Sequence, residues 1–240
     1  MDFEKYDYDA SSPMVSAVSE NERGAFLTRV YLNLTGAVLA LAAIETLLFA
    51  FVGCENIVRA IDANSIVAMI GVLALCLVGP FVADMILNSA RSRAGQYAAL
   101  GFHVLLEAAI ITPLLAFAAG FLGYEVIWSA VGLTAAVFVT LSAMTLMLRA
   151  NFSFLLPILS VGAIASVGAV VFSLIFGFSL GIWFSVAMIV LACGYILYET
   201  SVALQVATVD ADVVVSIMLF TSVMTLFFYI LRLVMELSRE

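Results

Sequence analysis

Four ionisable residues of this 240-residue chain lie inside long apolar stretches: Glu45, His103, Glu107 and Glu199. An ionised side chain surrounded by hydrocarbon is costly unless it is partnered or hydrated, so each of the four is a candidate functional residue. Burial also favours the neutral form of a carboxyl group, which allows such an acid to switch its charge by binding a proton. The chemistry that these residue types offer is therefore the binding of protons or cations.

His103 is the only histidine, and it precedes Glu107 by four residues, so both side chains lie on one face of a helix. Two interpretations are open for this pair. It is either a structural pair that links helices or a group that handles protons or cations. A metal site is disfavoured because further ligands are missing. Asp84 and Glu125 lie at the edges of apolar stretches, where reaching the membrane interface explains them.

Two further acids have more than one interpretation. Glu45 and Arg232 lie toward the same end of the first and the last apolar stretch, where an ion pair between them would latch one end of a pathway. An equally simple interpretation is that each residue reaches its own interface. Glu199 closes the sixth apolar stretch, within the segment Gly194-Tyr-Ile-Leu-Tyr-Glu-Thr-Ser201, and it is either a helix-end acid or the titrating group of a pH-gated cation path.

The composition is that of a protein embedded in a lipid bilayer. Apolar residues make up 65% of the chain and charged residues 11%, with a mean hydropathy of +1.21, whereas soluble domains are about half apolar and a quarter charged. Continuous apolar stretches of this length must be helices, because an open sheet edge cannot be satisfied in lipid. The sequence predicts an all-α polytopic membrane protein with seven spans: Ala25 to Val52, Asn64 to Val82, Tyr97 to Phe117, Glu125 to Leu148, Phe154 to Phe176, Leu180 to Glu199 and Val213 to Met235.

The charged residues indicate the domain organisation and the orientation. Residues 1–24 form an acidic tail, and residues 25–240 form the seven-helix domain. The side that contains the tail has more cations near span ends than the other, which predicts a cytoplasmic N-terminus and an external C-terminus. The cations on the side of the tail are Lys5, Arg23, Arg29, Arg91, Arg93 and Arg149. Those on the opposite side are Arg59, Arg232 and Arg239. A net charge of −8 with only nine Lys and Arg argues against binding to nucleic acid.

Several functional classes lack the residues that they need. One histidine and no Gly-x-Ser-x-Gly turn provide neither a catalytic triad nor a metalloprotease site, so we expect no enzyme and no cofactor. Cys54, Cys76 and Cys193 lack the spacing of metal ligands. In the fifth span, Gly162 and Ser166 are small residues four positions apart, which predicts that this helix packs inside the protein.

Several segments, in order, resemble the Bax inhibitor-1 family of seven-span membrane proteins, from about residue 25 to the C-terminus. They are Ala25 to Tyr31 opening the first span, Val131 to Phe138 in the fourth, Asn151 to Leu155 after it, Ile196 to Ser201, and Ser216 to Arg232 with its closing Ile230-Leu-Arg. The resemblance implies six helices around a largely apolar seventh and a pH-sensitive leak of calcium or other cations.

In the calcium-leak branch of that family, one acid that ends the sixth helix and another in the seventh share a proton. The resemblance assigns the first role to Glu199, but Ser222 occupies the position of the second acid. This departure is similar to the bacterial inner-membrane branch whose members restrain the membrane-anchored AAA protease FtsH. Two functions are therefore expected: a cation leak that uses Glu199 with Ser222, Glu107 and His103, or a modulator that binds such a protease through its tail.

Overall fold

The structure is a computed structural model that describes residues 12–63, 65–89, 92–148 and 150–238. Within these ranges the chain forms eight α-helices and no β-strand, and two short 3-10 turns at Val15–Ala17 and Ser153–Leu155. The helices are α1 (Glu20–Phe51), α2 (Cys54–Ala63), α3 (Ser65–Ser89), α4 (Arg93–Phe121), α5 (Tyr124–Leu148), α6 (Leu156–Phe176), α7 (Ile182–Gln205) and α8 (Asp212–Leu237).

The helix lengths and compositions confirm an all-α polytopic membrane protein. Six described helices, α1 and α4 to α8, are long and apolar enough to cross a membrane. The two halves of α3, Ile70–Cys76 and Phe81–Leu87, pass the same test together and are bent by 42°, so α3 as one bent span brings the number to seven. The bend lies between Cys76 and Phe81, and this segment contains Pro80. A proline bends a helix because it lacks the backbone N–H that would continue the helical hydrogen bonding. Several residues used in the sequence predictions lie outside the described residues: Lys5, Asn64, Arg91, Arg149 and Arg239.

The chain divides into two compact units, and the first contains the described residues of Met1–Gly123 together with Ala207–Thr221. Within this unit, α4 packs against α1, α2 and α3. The first helix begins at Glu20 rather than at the predicted Ala25, because Ser19 and Glu22 cap it reciprocally. The Glu22 amide donates to Ser19 Oγ at 3.4 Å, and the Ser19 amide donates to Glu22 Oε2 at 3.1 Å.

The short helix α2 is an element that the sequence analysis left within a connection. It packs on the end of α4, where a Cβ added to Gly120 would lie 3.5 Å from Cys54 Sγ and 3.7 Å from Val58 Cγ2. Cys54 Sγ also donates to the Ala116 carbonyl at 3.1 Å. Burial is the main reason that the pKa of the Cys54 thiol is raised, and the charge of Glu55 adds to it.

The second unit contains Tyr124–Val206 and the described residues of Ser222–Glu240, and in it α7 packs against both α5 and α6. The prediction that the fifth span is packed inside the protein is wrong, since only 6% of the most apolar part of α6 is buried. Close approach is confined to single positions. A Cβ on Gly162 would lie 2.7 Å from Leu191, and one on Gly194 would lie 2.6 Å from Leu159.

The last helix, α8, is the most buried candidate span among the described helices. It contributes its first ten residues to the first unit and the remainder to the second. In its most apolar stretch, 78% of the residues are buried. A helix that is apolar on all sides is expected to be enclosed by protein or lipid, and the burial of α8 agrees with the enclosed position that the resemblance implies.

Candidate functional site

Glu199 lies inside α7 rather than at its end. The predicted sixth span stopped at this residue, but α7 continues to Gln205, which places Glu199 roughly 9 Å from the end of the helix at the usual rise per residue. Its side chain is only 6% exposed. The prediction that the helix ends at Glu199 is therefore wrong, and the side chain is buried within α7.

The hydroxyl group of Ser222 on α8 is the hydrogen-bond donor to this acid. Ser222 Oγ donates to Glu199 Oε1 at 2.9 Å, and Ser222 itself is 7% exposed. The second carboxyl oxygen, Oε2, is buried and has no hydrogen-bond partner among the residues that the structure describes. A buried carboxyl group with one neutral donor is poorly compensated when it is ionised, so the negative charge of Glu199 is costly in this arrangement.

Buried hydroxyl groups on α5 and α7 add to the polar character of this unit, and the sequence analysis did not single them out. Across the described ranges, Ser142 Oγ, Ser185 Oγ and Thr200 Oγ1 are buried and have no hydrogen-bond partner. Ser142 belongs to the buried face of α5, and α5 packs against α7, the helix that carries the other two. The sequence could not predict these unpaired hydroxyl groups. A serine or threonine within an apolar helix commonly bonds to a backbone carbonyl of the same helix, so its presence does not indicate a functional site.

Glu45 is a second buried acid, and its donor is a threonine. Thr112 Oγ1 on α4 lies 2.9 Å from Glu45 Oε1 and 3.2 Å from Oε2, and it is also 2.7 Å from the Ala108 carbonyl. The sequence analysis missed Thr112, although its position in the first unit explains how a carboxyl group is accommodated between α1 and α4. This contact links the two helices through a polar bond.

A third buried acid, Asp212 at the start of α8, was also missed as a site residue. It is fully buried, and cations from two other helices surround it: Arg93 Nη1 lies 2.5 Å from Oδ1 and Arg29 Nε lies 3.8 Å from Oδ2. The sequence does show these charges near span ends, but their pairing depends on contacts between segments that are far apart in the chain. This cluster belongs to the first unit.

A family model described as "Inhibitor of apoptosis-promoting Bax1" matches residues 23–239. The chain belongs to this family, the Bax inhibitor-1 family. A search of curated proteins found no match. In this Bax inhibitor-1 family protein, the two positions that the resemblance singles out, Glu199 and Ser222, are in direct contact, so the sequence analysis chose two residues that the fold brings together.

Two further predicted site residues, His103 and Glu107, lie on α4 of this family member. His103 is buried on α4, where its Nδ1 atom lies 2.9 Å from the Ala99 carbonyl, and Glu107 is half-buried one turn further along the same helix. Because a carbonyl group only accepts, Nδ1 carries a proton in this arrangement. The described residues contain no group of three His, Cys, Asp or Glu side chains that could hold a metal ion.

Arg232 contacts residues of its own unit. Its Nη2 atom donates to the Leu180 carbonyl, and it lies 3.6 Å from Glu236 Oε1 one turn further along α8. Glu45 belongs to the other unit and has Thr112 as its donor. The latch between Glu45 and Arg232 stays a prediction.

Proposed function

We propose that this protein is a pH-sensitive leak pathway for calcium or other cations across a membrane, with Glu199 as its proton-binding group. The observation that supports this proposal is the state of Glu199: it is 6% exposed, it has one neutral donor in Ser222, and its second oxygen has no partner among the described residues. Catalysis is not part of the proposal.

The chemistry follows from competition for one carboxyl group. When Glu199 is ionised, a passing cation supplies the compensation that Ser222 alone does not provide. Calcium prefers oxygen ligands, and the carboxylate and the serine hydroxyl are both oxygen donors. When Glu199 is protonated, its negative charge is absent and the attraction for a cation disappears. Passage of cations therefore depends on pH.

Glu199→Gln tests this role. Glutamine has nearly the same shape as the protonated acid but does not titrate, so we expect calcium flux through the variant in liposomes to be flat between about pH 5 and pH 8. At every pH its flux should match that of the wild type at the acid end of the range, where Glu199 is protonated. The measurement is the release of calcium from vesicles as a function of pH.

Glu125→Gln is the matched control, because Glu125 is an exposed acid in the first turn of α5. It should retain the pH dependence of the wild type. Wild-type protein that passes no calcium above empty vesicles at any pH in the range would contradict the leak function. A Glu199→Gln variant that keeps the full pH dependence would contradict the role of Glu199.

A second candidate function is modulation of a membrane-anchored AAA protease of the FtsH type by binding. The observation that favours it is the neutral Ser222 opposite Glu199, where the calcium-leak branch has a second acid. This function requires a location in a bacterial inner membrane with the N-terminus in the cytoplasm. Binding and conduction are compatible in one molecule, so the two functions need separate tests.

The structure determines where a tail deletion should stop. Val15 is fully buried and Ser19 caps α1, so removal of either would disturb the helices themselves. Deletion of residues 1–10 spares both. We expect this deletion to leave calcium flux unchanged and to abolish the stabilisation of protease substrates in cells. Substrates that stay as stable as with the full chain would contradict docking through the tail.

A further inference from the structure

Residues 12–17, here called the strap, fold back against the connection between α7 and α8. The Val15 amide donates to the Ala207 carbonyl at 2.8 Å, and the Val209 amide donates to the Pro13 carbonyl at 3.2 Å. Met14 is thereby the partner of Thr208 in an antiparallel bridge. The Val15 side chain is fully buried. The strap is therefore an ordered part of the first unit, although it belongs to the stretch that was predicted to be an acidic tail.

Side chains hold the strap at both of its ends. Ser12 Oγ donates to Asp210 Oδ2 at 2.6 Å. From α1, Arg23 donates through Nε to the Val15 carbonyl at 3.2 Å and through Nη2 to the Ser16 carbonyl at 3.1 Å. Backbone carbonyls that receive charge-assisted bonds from arginine are held more firmly than by neutral donors. The strap thus joins the start of α1 to the α7–α8 connection.

The connection is also held where α8 begins. Asp212 accepts from Arg93 Nη1 at 2.5 Å and from Asn33 Nδ2 at 3.3 Å, and Arg29 Nε lies 3.8 Å away. Arg29 Nη2 donates to the Val209 carbonyl at 3.0 Å. Because Asp212 is fully buried with these partners, the first turn of α8 is fixed to α1 and α4. The same short connection, residues 206–211, is therefore held in two ways. The strap bonds to the connection itself, and Arg29, Arg93 and Asn33 hold Asp212, the residue that follows it.

This connection joins the two helices that carry the candidate site. Glu199 lies six residues before the end of α7, and Ser222 lies ten residues after the start of α8. We propose that the strap is an intramolecular clamp on the α7–α8 connection, and that release of the strap increases the cation leak. The proposal rests on the proposed function, because conduction is one of its two readouts.

The direction of the effect follows from the contacts. The bonds of the strap to Ala207, Val209 and Asp210 form with the connection in the arrangement seen in the structure, so they stabilise that arrangement relative to any other. In that arrangement Ser222 donates to Glu199 and both are buried. Loss of the strap removes this stabilisation, so we expect a state in which Ser222 no longer donates to Glu199 to become more populated.

A reversible cross-link tests the clamp. Met14 and Thr208 face each other between the two flanking backbone hydrogen bonds, which is the narrow pair type of an antiparallel ladder and is close enough for a disulfide. The protein to use is Met14→Cys with Thr208→Cys in a background where Cys54, Cys76 and Cys193 are alanine. Oxidation locks the strap and a reductant frees it, in the same protein and the same vesicles.

We expect calcium flux to be lower in the oxidised form than in the reduced form. Arg23→Gln, which weakens two bonds to the strap, should increase the flux of the reduced protein by about tenfold, the effect of losing one to two hydrogen bonds in a two-state equilibrium. Met14→Cys alone, treated with the same oxidant, is the matched control and should not change. Arg59→Gln, an exposed cation on α2, is the control for loss of charge.

Amide hydrogen exchange separates a failure of the clamp from a failure of the leak. The Val15 and Val209 amides should exchange slowly in the wild type and faster in Arg23→Gln. Equal flux from the locked and the freed protein, with the cross-link verified by mass, would overturn the coupling. Fast exchange at both amides in the wild type would overturn the clamp itself. Slow exchange in a protein that passes no calcium in any form would overturn the leak and leave the strap as a structural contact only.

Discussion

The serine at position 222 is in direct contact with the buried acid Glu199. It supplies the one hydrogen bond that the structure gives to the Glu199 carboxyl group within the described residues, at 2.9 Å. An acid at position 222 would compete with Glu199 for a single proton, whereas serine is neutral at every working pH and donates to the ionised form. A one-proton site is therefore expected, with a single titration step in place of two coupled steps.

Ser222→Ala should destabilise the protein, because both oxygens of a buried carboxyl group would then lack a donor. We expect a loss of about 1–3 kcal/mol in the free energy of unfolding in detergent, larger at pH 8 than at pH 5, since the bond is strongest when Glu199 is ionised. In the Glu199→Gln background the same change should cost less, and this double-mutant cycle isolates the pair. Ser238→Ala, which removes an exposed hydroxyl group bonded to the Val234 carbonyl, is the control. A loss that is equal at both pH values would argue against an ionised partner.

At the scale of the helices, α6 shows how a sequence motif can be correct at one position and wrong for the element. Small residues four apart predicted a helix packed inside the protein, yet 6% of the most apolar part of α6 is buried. Gly162 nevertheless lies against α7, where a Cβ would come within 2.7 Å of Leu191, while Gly168 on the same helix has no atom within 4 Å of that position. A spacing of four residues indicates that close approach is possible, but not how long the contact is.

This contrast predicts different outcomes for two substitutions in one helix. Gly162→Ala should lower the free energy of unfolding by about 1 kcal/mol, because Leu191 has to move away from the new methyl group. Gly168→Ala should be neutral or stabilising by up to about 1 kcal/mol, since alanine is the better helix former and the space is open. Unfolding of both variants in the same detergent measures the difference. Equal effects would contradict the placement of α6 against α7.

The sequence was sufficient to predict the helices that are long and apolar enough to cross a membrane. It was insufficient to predict where these helices end and which short elements connect them. Continuous apolar stretches identify spans because lipid allows little else, and this is why the all-α membrane class was predictable. The short helix α2 was missed because it has only ten residues and contains Glu55, Arg59 and Asp62, so it forms no apolar stretch of membrane-spanning length. The sixth span was predicted to end at Glu199, whereas α7 continues to Gln205 with Thr200 and Ser201 buried in it. A serine or threonine is a weak signal for the end of a helix, because its hydroxyl group can also bond to the backbone within a helix.

For the whole molecule, Asp212 indicates how often the chain crosses the membrane. Arg29 in the first third of α1 and Arg93 at the start of α4 each lie within 4 Å of Asp212 at the start of α8, so we expect these three residues on one side of the membrane. Each span takes the chain from one side of the membrane to the other. Between Arg29 and Arg93 the chain crosses once in α1, and a second crossing is needed to bring Arg93 back to the side of Arg29. We therefore expect the bent helix α3 to supply the return, which predicts seven spans.

The count has a direct consequence for the two termini. With α1 and α8 starting on the same side, we expect the N-terminus and the C-terminus on opposite sides of the membrane, the N-terminus in the cytoplasm by its excess of cations. Fusions to a reporter that is active only outside the cell and to one that fluoresces only inside measure this. A matched pair of fusions after α4 and after α5 tests the reporters, since they flank a single span. Termini on the same side would contradict α3 as a full crossing.

Charge pairing over this range was beyond the sequence analysis, because nothing local links Asp212 to arginines more than a hundred residues away. The same separation has a consequence for biosynthesis. Met14 and Thr208 are roughly two hundred residues apart in the chain, so at ordinary rates of translation the strap waits on the order of ten seconds or more for its partner. A nascent chain that halts before the eighth helix already contains the residues that bond to the strap, but it leaves Arg29 and Arg93 without Asp212 as their counter-ion.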